Sequence, residues 1–321
     1  MTPVVVSTST LPGPWLGHLA ESFDVRVVEP GPSTDAFRLE LADADALISL
    51  LTVHVGADLI AAAPRLRIIA NYAVGVDNVD RAAAAARGIA VTHTPGVLTD
   101  ATADAAMALL LALFRRVIEG DRLVRAGGFS GWRPDVLLGR DPKGKTLGIV
   151  GPGRIGKAVA RRARAFGMAV IAFGRSPRDP DDPDDPPRVS YDDLLRRSDV
   201  VSIHVPLTPE TRHLVDAAAF AKMKPDAVLI NTARGPIVDE MALCRALDGG
   251  TIAGAGLDVF ENEPLVAPAL LDDDRVVLLP HAASATLETR SEMARMVCED
   301  VRRVLSGESP RWPVPGERSA P

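Results

Sequence analysis

Leu147-Gly148-Ile149-Val150-Gly151-Pro152-Gly153-Arg154-Ile155-Gly156 is the stretch that decides how this chain folds. A short apolar run enters a G-x-G-x-x-G turn, and Lys157 to Phe166 continues with helical character. Gly151 permits the tight turn, Gly153 lets a pyrophosphate approach the backbone, and Gly156 brings helix and strand together. The helix start, with Arg154 and Ile155, offers free N–H groups and a positive dipole end to that anion. Glycines alone would suit any tight turn. With a strand before them and a helix after, they read as a dinucleotide site.

Outward from this turn, β-branched runs alternate with Ala- and Leu-rich stretches, the pattern of a parallel sheet with crossover helices. Strands are predicted at 147–150, 169–173, 200–204, 228–231, 254–257 and 276–279. An earlier set falls at 4–7, 25–28, 46–50, 66–70 and 89–92, with connections long enough for helices. The fold class is α/β, with doubly wound parallel sheets. Thr94-Pro95-Gly96 reads as a linker, followed by an apolar helix capped by Thr99 or Thr102 and running to about Ala126. A last helix over 287–305 is expected to return onto the first strand set, and the tail 309–321, rich in proline, to be extended or disordered. Residues 177–187 form an acidic, proline-rich surface loop.

Composition narrows the function. The 321 residues include 36 Lys+Arg against 42 Asp+Glu, a net charge of −6, which opposes a broad nucleic-acid or anionic-membrane surface. The longest apolar run, 105–114, is about half the ~20 residues of a membrane span, and the N-terminus lacks a basic leader. The two cysteines, Cys244 and Cys298, read as thiols of a reducing compartment, so a soluble cytoplasmic protein is expected. No metal-ligand set is predicted.

After the second strand of the later set, where a carboxylate would bind the ribose hydroxyls of NAD, the chain has Gly174-Arg175-Ser176. Arg175 stands 19 residues after Gly156. A guanidinium and a hydroxyl suit a 2′-phosphate and favour NADP(H). The alternative is a solvated Arg175 drawn toward the acidic loop. Arg234, Glu263 and His281 follow the fourth, fifth and sixth strands of this set, and carboxyl ends of parallel strands line the ligand crevice. Together they fit carbonyl reduction. Histidine supplies a proton near neutrality, a carboxylate orients it, and arginine pairs with a 2-oxo acid.

These residues, with Asn71-Tyr72-Ala73-Val74-Gly75-Val76-Asp77-Asn78-Val79-Asp80, His204-Val205-Pro206-Leu207-Thr208, Asn231 to Pro236, Gly256-Leu257-Asp258-Val259 and Pro280-His281, resemble the D-isomer-specific 2-hydroxyacid dehydrogenases over nearly the whole chain. The resemblance implies a flavodoxin-like substrate domain from 1–98 and 289–321, with a Rossmann cofactor domain, 99–288, between them. It implies Arg234, Glu263 and His281 as the catalytic set, backbone N–H groups at Val74 and Gly75 for the substrate carboxylate, and Asp258 at the nicotinamide carboxamide. Thr102, Pro206, Thr211 and Thr232 join the cofactor contacts, with His281 beside the nicotinamide.

Gly128-Phe129-Ser130-Gly131-Trp132-Arg133-Pro134, Leu138-Gly139 and Gly174-Arg175-Ser176 look most like the NADPH-dependent glyoxylate/hydroxypyruvate reductases. In that branch a homodimer is implied, and a tryptophan matching Trp132 reaches the partner's active site; the alternative is an interface anchor. Ala282-Ala283 departs from the family's usual Ile-Gly and reshapes the pocket edge. A small 2-oxo acid is the expected substrate, glyoxylate or hydroxypyruvate before a sugar-derived keto acid such as 2-ketogluconate, with NADPH preferred over NADH. A nucleotide-sensing binding protein on the same fold stands as the alternative class. A methyltransferase is opposed by Arg175 and by the split N-terminal domain.

Overall fold

The computed structural model describes residues 2–29 and 34–315. It divides into two compact units, Met1–Leu98 with Ala285–Pro321, and Thr99–Ser284. The second division falls four residues before the expected 288/289. Its cause is local: the Thr286 side chain accepts the Thr289 N–H at 3.1 Å and caps the helix Leu287–Leu305, so helix and cap stay with the first unit.

The first unit holds β1 (Val4–Ser7), β2 (Asp24–Val27), β3 (Ala46–Ser49), β4 (Ile68–Asn71) and β5 (Ala90–Thr92), all parallel in the order β2-β1-β3-β4-β5. This is the flavodoxin-like order. β1, β3 and β4 are buried throughout, which is why they read as unbroken apolar runs instead of alternating ones. The helix Leu287–Leu305 packs on β3 and β4, and Tyr72 Oη donates to the Arg290 carbonyl at 2.6 Å. Buried Asp300 accepts the N–H groups of Arg311 and Trp312, and Val314 N–H donates to Val91. The tail is therefore tied down near Trp312 to Val314, with one antiparallel bridge between Pro313 and Thr92; its remainder, 316–321, lies outside the described residues.

The second unit holds β6 (Thr146–Val150), β7 (Ala169–Phe173), β8 (Val200–Ile203), β9 (Val228–Asn231), β10 (Gly254–Leu257) and β11 (Val276–Leu278), parallel in the order β11-β10-β9-β8-β6-β7. An isolated parallel bridge between Ala172 and Arg188 sits beyond β7. It stands where a Rossmann sheet has its third strand, so the doubly wound order is complete with one strand shrunk to a single pairing. Register sets the geometry of everything that follows. Phe173 pairs with Val150, Val150 with Ile203, Ile203 with Asn231, Asn231 with Leu257 and Leu257 with Leu278, one continuous row across the carboxyl edge.

The long helix expected to reach Ala126 is broken. One helix spans Thr99–Phe114 and a second Val117–Arg125, with Arg116 left-handed at φ 51° between them. The Phe114 carbonyl accepts the Arg140 N–H at 2.7 Å, outside the helical ladder, and Arg116 turns to pair with Glu119. Neither expected cap stands outside the helix: Thr99 is its first residue and Thr102 lies buried inside it. Its buried Ala103, Ala106, Leu109 and Leu110 join Leu147, Ile149 and Val159 in the core on one face of the sheet. Among the described residues no helix is long and apolar enough to cross a membrane.

Candidate active site at the strand ends

The residue after each strand of the row opens the site. After Val150, Gly151 takes φ 92°, and its N–H donates to Phe173 at 2.9 Å. A Cβ there would lie 2.7 Å from the His204 carbonyl oxygen, and one on Gly156 would lie 2.5 Å from that of Gly151. Glycine is therefore required at both for packing. Gly153 differs. A Cβ on it would meet nothing within 4 Å, and the helix Arg154–Ala165 starts directly behind it, so the open space lies over free N–H groups. After Asn231, the Thr232 hydroxyl oxygen is buried without a hydrogen-bond partner among the described residues. An open glycine cradle at a helix start and an orphaned buried hydroxyl on the same sheet edge fit a dinucleotide.

After Phe173, Arg175 and Ser176 are exposed. The acidic loop does not capture Arg175. Lys157 bonds Asp182 at 2.7 Å, Arg161 bonds Asp184 at 3.0 Å and Arg188 bonds Asp185 at 2.6 Å, so other cations consume its charge. The Arg175 charge helps to lower the carboxyl of exposed Glu210, a smaller effect there than the hydrogen bond from Thr208.

His281 and Glu263 meet, and the Arg234 charge acts on the same carboxylate. His281 Nδ1 lies 2.8 Å from Glu263 Oε2, and Glu263 Oε1 accepts the Phe260 N–H at 3.1 Å. Burial pushes the Glu263 carboxyl up, but His281, that N–H and the Arg234 charge outweigh it and hold the group below its ordinary range. An ionised carboxylate only accepts, so His281 Nδ1 carries the hydrogen and Nε2 is left for proton exchange. The His281 backbone is left-handed at φ 53°, a conformation that needs support in a non-glycine residue. Asp258 provides it. Its carbonyl accepts the His281 N–H at 2.8 Å, and its carboxylate takes those of Ala282 and Ala283 at 2.6 and 2.9 Å. Asp258 has no exposed surface, so the structure places it under the His281 turn, each carboxylate oxygen accepting one of these N–H groups. The same bonds fix Ala282 and Ala283, the departure noted in the sequence.

A second histidine–carboxylate pair escaped the sequence reading. His213 Nε2 lies 2.6 Å from Glu261 Oε1, and Glu261 and Glu240 exchange backbone N–H bonds at 3.2 and 2.9 Å. The His213 N–H donates to Pro236, so this pair joins the loop after Arg234 to the loop that carries Glu263. Gly235 makes that approach possible, since a Cβ there would fall 1.8 Å from the Phe260 carbonyl oxygen. Two glutamates flanking Asn262 were the sole sequence signal; the partner lies 48 residues away. Thr211 donates to the Pro206 carbonyl at 2.7 Å and closes that turn, Thr102 is buried, and Trp132 is 84% exposed.

In the first unit, the loop with Val74 and Gly75 has its carbonyls tied down. Asn71 Nδ2 donates to Gly75 at 2.8 Å, and His93 Nδ1 lies 2.9 Å from the Val74 oxygen. Asn71 and Asn78 exchange side-chain amide bonds at 3.2 and 3.1 Å. The N–H groups of Val74 and Gly75 have no acceptor among the described residues. Rigid carbonyls beside open N–H groups leave donors that an anion could take up.

Burial pushes His204, on the row after Ile203, down to about 4, with Ser202 Oγ 2.8 Å from its Nε2. The unfolded ring titrates near ~6.5, so the unfolded chain binds more protons between these values and stability falls as pH drops through that window. Proton NMR of the imidazole is expected to show His204 neutral down to about pH 4. A midpoint at the ordinary histidine value would contradict the burial.

Comparison with known proteins agrees with this geometry. Residues 107–283 match the family described as D-isomer specific 2-hydroxyacid dehydrogenase, NAD binding domain. The chain is 49% identical over 315 residues to a glyoxylate reductase of Korarchaeum cryptofilum, covering 97% of this chain and 95% of that protein. It is 48% identical over 300 residues to a glyoxylate reductase of Aeropyrum pernix, covering 91% and 90%. Its structure resembles an NADPH-dependent glyoxylate/hydroxypyruvate reductase from Sinorhizobium meliloti, solved with NADP and malonate, at a TM-score of 0.88, 36% identity and 100% coverage of both chains. The chain belongs to the D-isomer-specific 2-hydroxyacid dehydrogenase family and is an NAD(P)-dependent oxidoreductase.

Proposed function

We propose that this protein reduces a small 2-oxo acid, glyoxylate or hydroxypyruvate, to the 2-hydroxy acid with NADPH. The observation that carries the reading is the His281–Glu263 pair at 2.8 Å with Arg234 acting on the same carboxylate. Gly151, Gly153, Gly156, Arg154 and Ile155 would hold the pyrophosphate, and the orphaned Thr232 hydroxyl and the turn closed by Thr211 on Pro206 would contact the rest of the cofactor. Arg175 and Ser176 take the 2′-phosphate, a choice supported by an arginine that no carboxylate of the acidic loop neutralises. Bound NADPH supplies a hydride to the substrate C2. As the carbonyl oxygen gains charge, His281 Nε2 gives it a proton, and Glu263 stabilises the imidazolium and its orientation before that transfer. Arg234 pairs with the substrate and polarises its carbonyl, which lowers the cost of the oxyanion. Val74 and Gly75 N–H groups are assigned to the substrate carboxylate, the first unit to substrate and the second to cofactor.

The exposed apolar residues Val117, Val124, Phe129, Trp132 and Leu138 crowd one segment of the second unit and support a homodimer formed there. Two free cysteines and no disulfide suit a cytoplasmic setting.

A panel of 2-oxo acids assayed with both cofactors is expected to give turnover with glyoxylate and hydroxypyruvate, faster with NADPH than NADH, and weaker turnover with 2-ketogluconate. Tight NADPH binding with no reduction of any member would favour a nucleotide sensor. For the dimer, sedimentation is expected to find a two-chain species that Trp132→Ala weakens; a wild-type monomer at micromolar concentration would contradict it.

A further inference from the structure

The acidic loop 177–187 contains a carboxylate that its composition does not lead one to expect. Asp185 is 1% exposed, and with Pro186 it is buried in a stretch whose other residues are exposed or half-buried. Its Oδ1 receives Arg188 Nη1 at 2.6 Å; its Oδ2 receives the Asp179 N–H at 2.8 Å, Arg188 Nη2 at 3.2 Å and Lys157 Nζ at 3.3 Å. Burial alone would raise this carboxyl, yet Arg188, the Asp179 N–H and Lys157 hold it at about 2, so it stays charged at any working pH. Each partner leads to the proposed cofactor site. Lys157 lies on the helix that starts behind the glycine turn. Arg188 carries the bridge to β7 through Ala172, and its Nε donates to the Ser176 carbonyl at 3.1 Å. Arg178 Nε donates to the Asp185 carbonyl at 3.2 Å.

We propose that Asp185 is the positioning residue for cofactor selectivity: through Arg188 and the Asp179 N–H it fixes the turn that presents Arg175 and Ser176, and so sets the discrimination between NADPH and NADH. The inference rests on the NADPH reading above. Asp185 touches no cofactor itself. Its carboxylate gathers three cationic or N–H donors that would otherwise repel one another or compete for a phosphate, and it spends the positive charge of Arg188 inside the protein, leaving that of Arg175 outside. A turn ordered before binding costs less to order during it, and the gain falls on the cofactor that bears the phosphate. The acidic loop is then a scaffold for an anion site next to it.

The test is Asp185→Asn, isosteric but without charge, measured by quenching of intrinsic fluorescence on titration with NADPH and with NADH, independently of turnover. NADPH affinity is expected to fall about tenfold, near one charge-assisted hydrogen bond, with NADH within about twofold. In an Arg175→Ala background the same substitution should cost little more, because it acts through that turn. Arg188→Lys, which keeps the charge but loses the bond to Ser176, should repeat the selective loss and covers the case of an Asp185→Asn chain that fails to fold. Equal losses for both cofactors, or no loss in either variant, would overturn the proposal. If the wild type itself binds NADH as tightly as NADPH, the NADPH reading fails and the proposal falls with it; a selective wild type with unselective losses sinks the proposal alone.

Discussion

One row of backbone pairing carries the rest of this molecule. Phe173, Val150, Ile203, Asn231, Leu257 and Leu278 share a register across the six strands of the second unit, so their carboxyl ends finish on one line. Parallel pairing has no hairpins to adjust it, and every strand here is packed into the sheet, so a slip of one residue would turn an apolar set toward the wrong face. Because the line is fixed, the glycine turn, Arg175, His204, Thr232, Asp258 and His281 all emerge within three residues of it. Register brings these residues to one edge, and contacts between the loops then orient them.

Above that line, backbone N–H groups bound by carboxylates do the positioning. Asp258 holds the left-handed His281 turn, Glu261 and Glu240 lock two loops together, and Asp185 gathers the turn after β7. Burial raises the Asp258 carboxyl in spite of its two N–H partners, whereas Arg188, the Asp179 N–H and Lys157 hold that of Asp185 low. The net charge of −6 is thus a poor guide to the surface. Much of the acidic loop is neutralised internally by Lys157, Arg161 and Arg188, and the arginine beside it faces solvent.

The fold was legible because apolar runs of four or five residues recur with helix-length gaps, and a fully buried parallel strand needs no more signal than that. The strand ends at 254–257 and 228–231 and the helix at 287–305 could be read directly for this reason. The helix break at Arg116 could not, since it depends on an Arg140 N–H binding the Phe114 carbonyl from 26 residues away. Among the candidate site residues, Arg234, Glu263 and His281 were visible because each follows a strand. His213 and Asp185 were not: one sits in a turn that looks like a connection, the other in a loop whose composition reads as solvated. The strand shrunk to the Ala172–Arg188 bridge was missed because a single pairing leaves no run of residues to detect.

The central claim is that His281, oriented by Glu263, gives the proton that completes carbonyl reduction. His281→Gln tests it most directly, with NADPH binding measured beside glyoxylate turnover in the same preparation. The account predicts cofactor affinity within about twofold of wild type and kcat lowered by about a hundredfold or more, the range that general acid catalysis supplies. A variant that binds NADPH and turns over at the wild-type rate would contradict it.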